Sequence, residues 1–296
     1  MTAVAATHVV VARRGRAPAL RRLVREPALV VSFAILAVVA VVALAAPVLA
    51  PYDPLVQRLE GRLAPPFWAG GSFDHLLGTD QLGRDVLSRL MFGARVSMAI
   101  GVIAVLVSGV LGVAAGVVAG FYGGLTDEVL MRLADLRLAL PFVLLVISVI
   151  AVFGPSFTNI IVILGLTGWV PYARIVRAEV LSMREREFIV AARAIGARNT
   201  RLMFRHILPN TIASAIVIGS LELANIIVVE ASLSFLGLGV QPPTPSWGNM
   251  LGEARDYLMS NFWLATVPGI AISITAVSVN LIGDWLRDVL DPRIKT

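Results

Sequence analysis

The sequence predicts an all-helical integral membrane protein with six transmembrane helices, and three observations predict it. First, 57% of the 296 residues are hydrophobic and 15% are charged, with a mean hydropathy of +0.84, whereas a soluble domain carries about 25% charged residues. Second, uncharged apolar runs near the roughly 20 residues needed to cross a bilayer recur along the chain. Third, six spans divide the arginines and the single lysine, Lys295, into 19 on the side of the termini and 6 on the other. The positive-inside rule therefore makes both termini cytoplasmic. The net charge of +6 and the pI near 10.6 arise almost entirely from arginine. Those arginines flank apolar spans and are not interleaved with aromatics on one face, so nucleic acid is not an expected partner. Cysteine is absent, which excludes disulfides, iron–sulfur clusters and thiol catalysis. His8, His75 and His206 have no metal-ligand spacing, and no metal site is expected.

The elements follow in order. Residues 1–26 form a cytoplasmic tail with Arg13, Arg14, Arg16, Arg21, Arg22 and Arg25. The first span, 27–52, is longer than the apolar core of a signal peptide, about 7–15 residues, and reads as a signal anchor. An extracytoplasmic loop, 53–95, holds Pro54, Pro65, Pro66, Gly70 and Gly71. Its end reads as an interfacial helix capped at Thr79 or Asp80. There Asp80–Arg84 and Asp85–Arg89 are i,i+4 pairs, and Leu82, Val86 and Leu90 line the other face.

A helical domain spans 96–290. Its second span, 96–122, carries Gly109, Gly112, Gly116 and Gly120, a small-residue stripe against which another helix can pack closely. Gly123 and Gly124 turn the chain into a third span, 133–153, which Pro141 is placed to kink. Gly154, Pro155 and Ser156 turn it again into a fourth, 157–173. The fifth span, 208–233, contains Glu222, Asn225 and Glu230. Residues 237–257 read as a loop with Pro242, Pro243, Pro245 and Trp247, and the sixth span is 262–282, before a cytoplasmic tail, 291–296. Trp247 and Trp263 are expected as membrane-interface anchors.

Between the fourth and fifth spans lies the most cationic internal segment, 182–210, with six arginines against Glu185 and Glu187. Phe188, Ala191, Ala192 and Ile195 make one apolar helical stripe. Gly196 stands where the stripe stops, as a C-terminal cap does, and Asn199 or Thr200 is placed to cap a second short helix before Pro209. An exposed basic helix pair suits capture in a partner's groove. The chain itself has no means of using ATP through a P-loop, because its one lysine lies at position 295. No catalytic site is expected, so energy must come from an ion gradient or a separate ATPase.

Ala191, Ala192, Gly196, Leu208 and Pro209 resemble the EAA loop of bacterial ABC-importer permeases, the coupling helix by which that family docks onto its ATP-binding subunit. Residues 77–86 (LGTDQLGRDV), 233–239 (LSFLGLG) with 245–248 (PSWG), and 280–292 (NLIGDWLRDVLDP) narrow the resemblance to the peptide/nickel group and its dipeptide permease C-type subunit. One departure is Val190, which stands where the family motif usually has glutamate, while Glu187 lies one turn earlier.

The resemblance implies a type I ABC importer permease fold with a cytoplasmic coupling helix over 184–205, in a multi-pass protein of the bacterial inner membrane. It implies that the chain forms half of the pore for di- or oligopeptides, with nickel, haem or glutathione as alternative cargo. Implied partners are a B-type permease, two ABC ATPases that hold the ATP and magnesium, and an extracytoplasmic substrate-binding protein. ATPase docking then falls to Glu187, Phe188, Ala191, Ala192, Arg193, Ile195, Gly196, Arg198 and Arg201. A reading from another class is an ion-driven transporter using Glu222 and Glu230. Carboxylates at bilayer depth are costly and face protein or a water-filled path. For Glu222, Asn225 and Glu230 this leaves path lining, a proton relay or interhelical hydrogen bonding.

Overall fold

The computed structural model describes residues 26–290, so the expected tails, 1–26 and 291–296, lie outside it except for Glu26. Ten helices organise those residues. Helix α1 (Pro27–Leu49) opens with Pro27 in its first turn, where a missing N–H leaves no bond unmade. Helix α2 (Val86–Tyr122) runs for 37 residues, about 55 Å at 1.5 Å per residue and well beyond a hydrocarbon core of about 30 Å. Gly123 and Gly124, both at positive φ, then reverse the chain. After α3 (Gly124–Ala139) and α4 (Phe142–Phe153) come α5 (Phe157–Thr167), which Ser156 caps through the Asn159 N–H, and α6 (Trp169–Arg184). The short α7 (Glu187–Ala194) leads into α8 (Asn199–Phe235), and α9 (Trp247–Glu253) and α10 (Trp263–Leu290) complete the bundle.

Among the described residues, five segments are long and apolar enough to cross a membrane: α1, α2, α5 with α6, α8 and α10. The pair α3 and α4 makes a sixth if counted as one span, although it bends by 89° at the break. Here the structure departs from a kinked helix over 133–153. Leu140 is extended (φ −84°, ψ 122°), as a residue preceding proline tends to be, and Pro141 becomes the N-cap of a new helix. The 12 residues of α4 cover about 18 Å, so this span cannot cross without a contribution from α3.

The glycine stripe of α2 meets α6. A Cβ added at Gly112 would lie 2.3 Å from the Trp169 carbonyl oxygen, one at Gly116 2.7 Å from that of Ala173, and one at Gly120 2.8 Å from the Val180 side chain. At Gly109 an added Cβ would make ordinary contact with the Tyr172 ring at 3.5 Å. Gly112→Val therefore must push the α2 and α6 backbones away from each other. The expected result is a loss of roughly 1–3 kcal/mol, read as a lowered midpoint of thermal unfolding in detergent, with Gly109→Ala near wild type.

Three other expectations are corrected. The interfacial helix over 79–95 does not form as a separate element: residues 80–85 are a turn, and 86–95 are the first turns of α2. Gly83 at φ +72° directs that turn, and an added Cβ there would lie 1.8 Å from the Arg58 carbonyl oxygen. The loop over 237–257 contains α9, capped by Ser246 through the Asn249 N–H. Trp247 and Trp263 are buried inside the protein, at 2% and 7% exposure, and the Trp247 indole N–H donates to the Leu90 carbonyl at 3.0 Å. Both are packing residues here, not anchors standing out into an interface.

Candidate functional site

The segment after α6 is built around one inward residue. Ile189 is fully buried, packed with Val117, Phe121, Val176, Val180, Leu202 and Ile207 from α2, α6 and α8. Holding α7 by Ile189 turns the apolar stripe outward: Phe188 is 45% exposed and Ile195 87% exposed, Ala191 is exposed, and Ala192 is half-buried against the cluster. Glu187 lies in the exposed first turn. Val190 is exposed as well, so the site of the missing glutamate is on the surface.

The turn that follows is a Schellman motif. Gly196 N–H donates to the Arg193 carbonyl at 3.0 Å and Ala197 N–H to the Ala192 carbonyl at 3.1 Å, with Gly196 at φ +84°. The expected second short helix is instead the beginning of α8. Its N-cap is Arg198, without a side-chain cap from Asn199 or Thr200, and a π turn at Met203–Ile207 carries the helix on past Pro209.

The resulting outer surface gathers Phe188, Ile195 and Phe204 with the exposed Arg198, Arg201 and Arg205. Phe204, at 67% exposure, was not apparent from the stripe, because it belongs to the next helix. Arg193 is not free in the same way: its guanidinium lies 5.9 Å from the centroid of the Phe121 ring.

Polar ties make α6 a rigid base for this surface. Arg177 forms a two-pronged ion pair with Asp127 of α3, Arg174 pairs with Asp135, and the Ser214 hydroxyl of α8 donates to Glu179. Arg184 donates to the Gly120 carbonyl at 3.3 Å. The segment is thus joined to three helices at its root and open at its face.

The two membrane-level carboxylates differ. Glu230 is 1% exposed and accepts from the Ser97 hydroxyl at 3.1 Å and the Ser234 hydroxyl at 2.8 Å, while Trp247 N–H donates to Ser97 at 3.2 Å. It joins α2, α8 and α9. Glu222 is half-buried, and Asn225, three residues on along α8, is exposed. The two lie eight residues apart on α8, about 12 Å along the axis.

Near the start of α2 sits a buried charge cluster that local pairing does not describe. Arg84 donates to Asp80 at 2.7 Å as expected, but Asp85 caps α2 through the Ser88 N–H at 2.7 Å and meets His75 at 2.8 Å. Arg89 turns instead to Asp80 and to Glu253 of α9, at 2.5 and 2.8 Å. Arg84 also reaches Glu253.

The described residues form a multi-span helical bundle in which α7 is held by Ile189 and leaves Phe188 and Ile195 exposed, the architecture of a multi-pass membrane protein. The chain belongs to the family of binding-protein-dependent transport system inner membrane components, whose description matches residues 112–296. Residues 17–66 match the N-terminal TM domain of oligopeptide transport permease C. It is 46% identical over 272 residues to the dipeptide transport system permease protein DppC of Escherichia coli (strain K12), covering 92% of this chain and 91% of the relative. It is 45% identical over 254 residues to the di/tripeptide transport system permease protein DppC of Pseudomonas aeruginosa, covering 86% and 84%. The dipeptide permease of Haemophilus influenzae is 41% identical over 259 residues, covering 87% and 88%. The chain is accordingly a multi-pass inner membrane permease subunit of an ABC importer.

Proposed function

We propose that this chain is the C-type half of a peptide-importing pore, driven by ATPase subunits that grip the surface over 187–205. The observation that carries the reading is the arrangement of α7. Its inner side is locked into the bundle by Ile189, and its outer side leaves Phe188, Ala191 and Ile195 uncovered among arginines. Such a surface can transmit force without bending. In this reading both termini and α7 are cytoplasmic, which the distribution of arginines supports. The complex comprises a B-type permease, two ABC ATPases carrying ATP and magnesium, and an extracytoplasmic binding protein that delivers the peptide. Dipeptides are proposed as cargo because the relatives are named for dipeptide and di/tripeptide transport.

ATP binding closes the ATPase pair, and the motion passes through α7 and its Gly196 turn as a rigid displacement of α6 and α8. That displacement opens the path toward the binding protein, and hydrolysis resets it. Glu187 and the exposed arginines Arg198 and Arg201 supply the charged contacts of this docking.

The test is uptake of a labelled dipeptide by the whole complex in proteoliposomes. Uptake is expected with ATP and liganded binding protein in the absence of any ion gradient. Uptake driven by a proton gradient without ATP would overturn the reading in favour of an ion-driven carrier.

A further inference from the structure

Helix α3 is held to the bundle differently from its neighbours. Its start is a joint of two glycines, Gly123 and Gly124, at φ +67° and +53°, and an added Cβ at Gly124 would meet nothing within 4 Å. At its end the chain breaks at Leu140 and Pro141, and residues 138–141 are exposed. Of the 16 residues of α3 only Ala134 is buried. Apolar packing therefore does little to set its direction. Polar side chains do: Arg177 of α6 grips Asp127 with two N–H groups, and Arg174 of α6 donates to Asp135 at 2.5 Å. The aspartates lie eight residues apart, about 12 Å along the axis. Two points of attachment resist rotation of α3 where one would allow it.

The two ties are unequal. The Arg177 and Asp127 side chains are 31% and 18% exposed and meet as a fork, whereas Arg174 and Asp135 are 49% and 65% exposed and share one bond. An open single-bond pair contributes little, and a sheltered two-pronged one contributes more. Asp127 is thus the main tie. Helix α6 is joined in turn to the docking surface, because Val176 and Val180 pack on Ile189 of α7. A displacement of α7 therefore reaches α6 through apolar packing, and α3 through the two ion pairs.

We propose that Asp127 is a positioning residue for import: its fork with Arg177, steadied by the Asp135–Arg174 pair, makes α3 travel with α6 when the ATPases push on α7. This rests on the reading of the chain as an ATP-driven permease that is gripped at α7. Without the fork, α3 hangs between two loose joints. It then no longer follows the stroke, and with it goes control over the third span, which α4 alone is too short to complete.

The experiment uses the whole complex in proteoliposomes and has two readouts. The first is labelled dipeptide taken up per ATP hydrolysed. Asp127→Asn keeps the shape but loses the charge, and the ratio is expected to fall about fivefold while hydrolysis stimulated by the liganded binding protein persists. Asp127→Glu keeps the fork and should stay within about twofold of wild type. Asp135→Asn, at the exposed tie, should also stay within about twofold. A fall in uptake and hydrolysis together, or an unchanged ratio in Asp127→Asn, would overturn the proposal.

The second readout is a distance, available because the chain lacks cysteine. Spin labels at Arg132→Cys on α3 and Ala178→Cys on α6, both exposed positions, are expected to keep one narrow separation with and without ATP. The distribution should broaden in Asp127→Asn. A separation that shifts on ATP binding, or one indifferent to Asp127→Asn, would show that α3 does not ride on α6. The wild-type distances carry the test if Asp127→Asn fails to assemble. A wild-type complex without ATP-dependent uptake would overturn the permease reading itself, whereas results against an active wild type bear on the tie alone.

Discussion

Gly196→Val is expected to abolish most transport while leaving the protein inserted and folded. Gly196 sits at φ +84° in the turn between α7 and α8, and an added Cβ there would meet nothing within 4 Å. The cost is therefore backbone strain and not a clash. A β-branched residue held in the left-handed region costs roughly 1–3 kcal/mol, and relieving it requires the Schellman turn to open. The two bonds from Gly196 and Ala197 would be lost, and α7 would pivot about Ile189. Strain of that size is enough to reduce the correctly set turn by an order of magnitude or more, so uptake should drop about tenfold or further, with weaker retention of the ATPase on purification. Asparagine tolerates this conformation, and Gly196→Asn should transport within about twofold of wild type. Uptake by Gly196→Val equal to that of Gly196→Asn would show that the turn does not transmit the stroke.

The second large effect is expected at Arg89. Arg84 and Arg89 meet Asp80 and Glu253 in a cluster where the Arg89, Arg84 and Asp80 side chains are each no more than 4% exposed. Arg89→Ala removes one of two cations facing two anions and leaves a buried negative charge uncompensated. Breaking a buried pair from one side costs about 3–5 kcal/mol, and the midpoint of thermal unfolding should fall by roughly 10 °C. The contrast is Arg132→Ala. Its partner Glu128 lies on the same helix and both side chains are more than half exposed, so its removal should leave the midpoint nearly unchanged. Equal effects of the two substitutions would contradict the cluster.

Much of this architecture was legible in the sequence because the bilayer imposes a simple length rule. Uncharged runs beginning at Pro27, Val96 and Phe157 each had to become helix, since an unpaired backbone has no solvent there. Gly196 was legible as a cap because the apolar stripe ends beside it. The departures come from partners distant in sequence. Asp85 and Arg89 have the spacing of a local helical pair, yet Arg89 bonds to Glu253, 164 positions away, and Asp85 is used to start α2. Trp247 looks like an interface anchor by its place after a span. It is instead drawn inward by the Leu90 carbonyl and by the Ser97–Glu230 contact beside it. Proline at 141 marks a disturbance, and the extended Leu140 before it turns the expected kink into a break between two helices. At the candidate site, the periodicity of α7 showed an apolar stripe, while Ile189, which lies beside that stripe, is what fixes its direction.

The most direct test of the central claim uses the absence of cysteine from the chain. Ile195→Cys places a unique thiol at the most exposed apolar position of the proposed docking surface, 87% exposed in this structure. A short thiol-reactive cross-linker bound there, in membranes containing the assembled complex, is expected to join the chain to an ATPase subunit. A cross-link to the extracytoplasmic binding protein, or no cross-link to the ATPase in a complex that still transports, would contradict the claim that this face receives the ATPase.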